Sequence, residues 1–125
     1  MTAKKRPAPL WLETPEDHDY PAAESYLRLL YKRPKAQALV AKLMTAKTIQ
    51  FKAKDIFRAS GLPLLGVTNF HVEQDMKKIA AGSQLSPLLF VRDSPNSRLI
   101  IADGYHRLCA VYAHDEDAWI PCRIV

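Results

Sequence analysis

The sequence predicts one mixed α/β (α+β) domain: a small mixed sheet with flanking helices, preceded by an N-terminal helical hairpin. Three observations carry that expectation. Two compact apolar runs, in "SPLLFVRD" (86–93) and "RLIIAD" (98–103), have the length and continuity of strands buried on both faces. Helical spacing of apolar residues recurs before, between and after the strand-like segments. Finally, 125 residues at 48% hydrophobic and 25% charged suffice to bury a core without disulfides or metal.

Residues 1–20 are rich in proline and polar groups and read as a flexible arm without regular structure, pinned by Trp11 and Leu12. In the 21–47 segment, Tyr26, Leu27, Leu29 and Leu30 fit a short amphipathic helix that Pro34 closes. Leu39, Val40, Leu43 and Met44 give a second stripe, and the two helices form a hairpin. "TIQFKA" (48–53) alternates Ile49, Phe51 and Ala53 against Gln50 and Lys52, the period of a strand. "KDIFRASG" follows as a helical turn ending at Gly61. "TNFHVEQDMKKIAAG" starts near Thr68 or Asn69, has its acids early and lysines late, and stops at Gly82. Val72, Met76, Ile79 and Ala80 are its expected buried stripe. "GYHRLCAVYAHD" is the last helix, with Leu108, Val111 and Tyr112 inward, and "AWIPCRIV" (118–125) the last strand.

Composition narrows the function classes. No run approaches the roughly 18 apolar residues of a membrane span. Lys4-Lys5-Arg6 is followed by Pro7 and Pro9 rather than an apolar segment, so the cytoplasm is the expected compartment. Cys109 and Cys122 lie among apolar residues, outside any Cys-x-x-Cys pair, and read as buried free thiols. The net charge of +5 is uneven: residues 1–60 hold twelve Lys/Arg against six acids, residues 61–125 six against seven. A basic half is the footprint of a nucleic-acid partner, and equally of solvated helix faces.

The chemistry-bearing stretch is "LIIADGYHRLCAVY" (99–112). Asp103-Gly104 sits where a buried strand hands over to a helix, whose first backbone N–H groups lack intrahelical partners. Gly104 lets a phosphate approach the backbone. Arg107 offers a bidentate charged contact and His106 a further donor. Asp103 has several open roles: helix cap, orienting group for His106, metal ligand or proton acceptor.

The pattern "LSPLLFVR…RLIIADGYHRLCAVY…IPCRIV" resembles the ParB/sulfiredoxin superfamily over roughly residues 48–125. The resemblance implies a stand-alone ParB-like domain that grips the phosphates of a nucleoside di- or triphosphate of the ATP or CTP class, with Mg²⁺ as companion ion. By position, Gly104, Tyr105, His106 and Arg107 would bind the nucleotide. Asp103 and His106 would be the catalytic pair if the site transfers or hydrolyses phosphate, as the Asp-Gly-x-His-Arg form in ParB-like free serine kinases suggests. Sulfiredoxins carry their catalytic cysteine where this chain has Tyr105, so reductase chemistry is not expected. Partition proteins have Arg-Arg where this chain has His106-Arg107, and continue into further domains. For the kinases' upstream glutamate, Glu73 is the nearest match and His71 an alternative.

His71 reads first as a half-exposed histidine at a helix start, and faces the Asp103 cleft if its helix points there. His114 with Asp115, Glu116 and Asp117 reads as a solvated loop, and His18 carries no assignment. Trp11 and Trp119 are expected as packing anchors. No metal site is assigned. A non-enzymatic module that binds nucleic acid or a protein partner through its basic N-terminal half stands as the alternative, with no membrane partner.

Overall fold

The computed structural model describes residues 8–125, so the basic start at residues 4–6 lies outside the described residues. The main sheet has four strands in the order β2 (Ile49–Lys52), β6 (Trp119–Ile124), β4 (Leu88–Asp93), β5 (Arg98–Asp103). β4 runs parallel to β6, and the outer pairs β2–β6 and β4–β5 are antiparallel. The sheet is therefore mixed, as the sequence predicts.

Helices cover both faces. On one side lie α3 (Ala53–Ser60), α4 (Phe70–Ala81) and α5 (Tyr105–His114), packed on Leu88, Phe90, Ile101, Ile120 and Cys122. On the other lies the hairpin of α1 (Asp19–Leu30) and α2 (Arg33–Thr45), packed on Leu89, Val91, Ile100 and Ala102. Alternate residues of β4 and β5 thus feed two separate cores, which explains why their sequences are apolar without a break. Arg123 on β6 locks the hairpin down. Its guanidinium donates to the Leu43 and Met44 carbonyls at 3.3 and 2.9 Å and to the Tyr20 hydroxyl at 3.0 Å. A cation there meets the negative end of α2.

The stripes of the hairpin are in part those expected: Leu27, Val40 and Leu43 are buried. Asp19, Ala23 and Leu27 are the buried positions of α1, whereas Leu29 is 82% exposed. Ala36, Val40 and Leu43 are those of α2, and Met44 faces out. Ala23 and Ala36 join Leu27, Val40 and Leu43 in that core, with Leu39 packed against it, while Tyr26, Leu29, Leu30 and Met44 lie outside. Pro34 stands in the first turn of α2, where a missing N–H costs nothing. In α4, Asp75 replaces Ala80 on the buried stripe between Val72 and Ile79. Asn69 caps that helix by accepting from the His71 and Val72 amides at 3.0 and 3.2 Å.

The N-terminal segment is not an irregular arm throughout. β1 (Leu10–Trp11) pairs in parallel with β3 (Gln84–Leu85), and the Leu12 amide donates to the Leu85 carbonyl at 2.8 Å. Trp11 packs on the α3–α5 core, but Trp119 is 56% exposed and anchors nothing. Among the described residues, no helix is long and apolar enough to cross a membrane. Cys109 and Cys122 are buried free thiols.

Candidate functional site

β5 ends at Asp103, Gly104 turns the chain, and α5 begins at Tyr105. Gly104 has φ +106°, outside the range that L side chains readily adopt. A β-carbon built there would stand 2.6 Å from Cγ of Leu88 and 3.0 Å from an Nη of Arg107. Only glycine fits this turn.

Asp103 does not cap the helix; no side chain does. Its carboxylate instead accepts from Arg107, one turn along, at 2.7 Å. The same guanidinium donates to the Ser86 carbonyl at 3.0 Å and to Asp19 at 3.3 Å. Asp19 in turn accepts from the Ser86 hydroxyl, whose oxygen accepts from the Glu16 amide at 3.0 Å. Arg107 is therefore a keystone joining the N-terminal segment, the entry to β4 and the β5–α5 turn. Its expected role as a free phosphate receptor is not what the geometry provides, because two carboxylates and a carbonyl already hold the guanidinium.

The β5–α5 turn separates two clefts. The first, about 390 Å³, is polar and is walled by α4, α5 and the segment around Glu16–Asp19. His71 and His106 face each other across it with ring centroids 4.8 Å apart, as the sequence predicts conditionally for His71. His18 joins them, so three of the four histidines of the chain line one cleft. Glu73 does not: it pairs with Lys77 on the surface at 3.1 Å. Asp75 and Lys78, on the same helix, face the cleft instead. The second cleft, about 440 Å³, adjoins the same turn and is walled by Tyr26, Leu62, Ile101 and Tyr105. The Tyr105 hydroxyl donates to the Pro63 carbonyl and fixes the loop after α3 against the start of α5.

Charge is unbalanced in the polar cleft. Glu16, Asp19, Asp75 and Asp103 supply four carboxylates against Lys78 and Arg107. Burial pushes the Asp103 carboxyl up to about 6; Arg107 opposes that rise and the neighbouring Asp19 adds to it. Burial raises Asp75 as well, against the pull of Lys78 3.7 Å away. His106 is held below the ordinary histidine value by burial and by His71, so it is mostly neutral at pH 7. Chemically, the cleft offers a carboxylate that titrates near neutrality, a neutral imidazole and the unpaired N–H groups of a helix start. These are two proton-exchanging groups lining one cleft beside a helix start whose N–H groups can meet an anion.

Glu16, His18, Asp19, Asp75 and Ser86 were not among the residues expected at the site. The signal for two of them is present in the sequence. Asp19 precedes Ala23 and Leu27 at four-residue spacing, and Asp75 lies between Val72 and Ile79 on one helix face. An acid on an apolar stripe is buried with a partner or at a site. His114–Asp117 is the surface loop expected, with Asp117 paired to Lys54 at 2.6 Å.

No family model matches the chain, and no curated protein or solved structure matches it either.

Proposed function

We propose that this chain is a cytoplasmic ParB/sulfiredoxin-like domain whose two clefts take a nucleotide or other phosphate-bearing ligand astride the 103–107 turn. The observation that carries the reading is the uncapped start of α5, opening between a polar cleft and a more apolar one. Phosphate oxygens meet the Tyr105 and His106 amides, the imidazoles and Lys78. A base or other planar group lies against Tyr26, Leu62 and Tyr105. Arg107 holds the turn in shape rather than gripping phosphate itself. Because carboxylates outnumber cations in the polar cleft, the ligand enters with a divalent ion such as Mg²⁺. Asp103 and His106 are the groups that would move protons in phosphoryl transfer or hydrolysis.

Thermal unfolding with ATP, CTP, pyrophosphate and inorganic phosphate, each with and without Mg²⁺, tests this. At a hundredfold excess over Kd, a ligand stabilises by about 2.7 kcal/mol, a rise in Tm of roughly 10 °C for a chain of this size. Lys78→Ala and His106→Ala are expected to shrink the rise. If no phosphate compound moves the wild-type Tm under either condition, the proposal fails.

A second reading rests on the hairpin. Arg28, Lys32, Arg33, Lys35 and Lys42 are exposed and enter no ion pair among the described residues. Lys32, Arg33 and Lys35 also crowd the positive end of α2, whose first turn has no acid. Such uncompensated charge suits a nucleic-acid backbone or an acidic protein. A salt-dependent shift of mixed-sequence DNA or RNA, lost when those three are neutralised, supports it; no shift at low salt rejects it.

A further inference from the structure

Glu16, His18 and Asp19 meet at the mouth of the polar cleft, with one donor atom of each within 4.8 Å of the others. Nε2 of His18 stands 3.0 Å from Oε2 of Glu16 and 3.3 Å from Oδ1 of Asp19. Donors bound at about 2.0–2.1 Å around a tetrahedral ion stand roughly 3.3–3.4 Å apart, and cis donors of an octahedral ion about 3.0 Å. The two edges from His18, 3.0 and 3.3 Å, lie within that span, and the third donor is within 4.8 Å.

Two independent features mark this as more than neighbouring polar groups. First, the Asp19 side chain is only 6% exposed, and its two oxygens have separate tasks. Oδ2 is fixed by the Ser86 hydroxyl and by Arg107, while Oδ1 faces His18 and Glu16 at the cluster. Ligating carboxylates are held by outer partners in this way. Second, Asp19 and Asp103 share a single guanidinium, and Glu16 adds another negative charge beside them. Carboxylates crowded around one guanidinium at a cleft mouth favour a second cation there.

We infer that Glu16, His18 and Asp19 bind one divalent transition ion of the Zn²⁺ or Mn²⁺ class, with its remaining positions open to the polar cleft. The imidazole selects against Mg²⁺ and Ca²⁺, which prefer all-oxygen shells, and two carboxylates keep Mn²⁺ competitive with Zn²⁺. The ion would balance the excess charge around Arg107. The inference does not rest on the phosphate reading, and metal alone tests it.

The experiment is calorimetric titration of the chelator-treated full chain with Zn²⁺ and with Mn²⁺, followed by Co²⁺ absorption as a report of nitrogen and oxygen ligation. One equivalent is expected to bind. His18→Ala and Glu16→Gln should each weaken it at least tenfold; both side chains are substantially exposed, so the fold survives. His71→Ala should leave the stoichiometry and affinity intact. Failure of wild-type protein to bind either ion above background overturns the inference. So does loss of binding in His71→Ala with none in His18→Ala, which puts the ion on the His71–His106 pair.

Discussion

The Gly104 turn makes the sharpest energetic prediction. Alanine at this position must hold φ near +106° and place its methyl 2.6 Å from Cγ of Leu88, a side chain with no exposed surface. The backbone conformation costs about 1–3 kcal/mol for a non-glycine residue. Forcing a methyl into a packed contact adds about 1–3 kcal/mol. Arg107, 3.0 Å away on the other side, gives little because Asp19, Asp103 and the Ser86 carbonyl pin it. Gly104→Ala should therefore lose about 2–6 kcal/mol, a large share of the total stability of a domain. Gly82 is the control: its φ is +75°, with open space around the β position, so Gly82→Ala carries backbone strain of only about 1–2 kcal/mol. Urea unfolding reads both as shifts in midpoint at constant slope. Leu88→Ala alone should cost about 2–5 kcal/mol. Combined with Gly104→Ala, it should cost at least ~1 kcal/mol less than the two singles together, because the clashing atom is gone. Equal losses in Gly104→Ala and Gly82→Ala would refute the packing argument.

Other perturbations separate the remaining parts of the account. Arg107→Ala leaves Asp19 and Asp103 without their shared cation and should destabilise the fold by about 3 kcal/mol in urea unfolding even without ligand. A variant as stable as wild type would show that Arg107 is not a keystone. Asp103 titrates at about 6 when folded against 3.8 for the ordinary group, so the folded chain holds that proton more tightly. Its stabilising contribution is present below pH 3.8 and lost as pH rises through 6. Asp103→Asn should accordingly gain Tm relative to wild type between pH 4 and pH 7; a constant difference across that range contradicts the shift. Burial raises both thiols, Cys122 to about 12, so neither should react with a disulfide reagent in the native protein and both should on unfolding.

Sequence patterns were most informative where burial is two-sided or a helix end is chemically marked. Strands β4 and β5 are continuous apolar runs because each residue feeds one core or the other. Asn69 and Gly82 bracket α4 because an amide-accepting side chain and a left-handed residue are what helix ends require. The hairpin was legible in existence, and in orientation for α2 but not for α1. The expected stripe of α2 holds at Leu39, Val40 and Leu43, whereas in α1 only Leu27 of the expected residues is buried, because Asp19 and Ala23 share its inward face. The alternation of Ile49 and Phe51 marks β2 as a strand, but not its place at the sheet edge, where both are more than a third exposed.

At the candidate site, Asp103–Arg107 stood out because glycine and four polar residues interrupt two apolar segments. The partners of Arg107 did not. Asp19 and Ser86 are both far from it in sequence: Ser86 lies at the entry to β4, which pairs with β5, and Asp19 follows the segment that β1 holds against β3. Such a contact leaves no local pattern. The only trace was an acid on an apolar stripe, a signal about burial rather than about partner.

The most direct measurement is an amide NMR titration of the isotope-labelled chain with ATP·Mg²⁺ and CTP·Mg²⁺. The account predicts saturable shifts largest at the Gly104, Tyr105, His106 and Arg107 amides, with His71 and Lys78 following. Shifts confined to Lys32–Lys42 on α2, or none anywhere, would contradict a phosphate site at the start of α5.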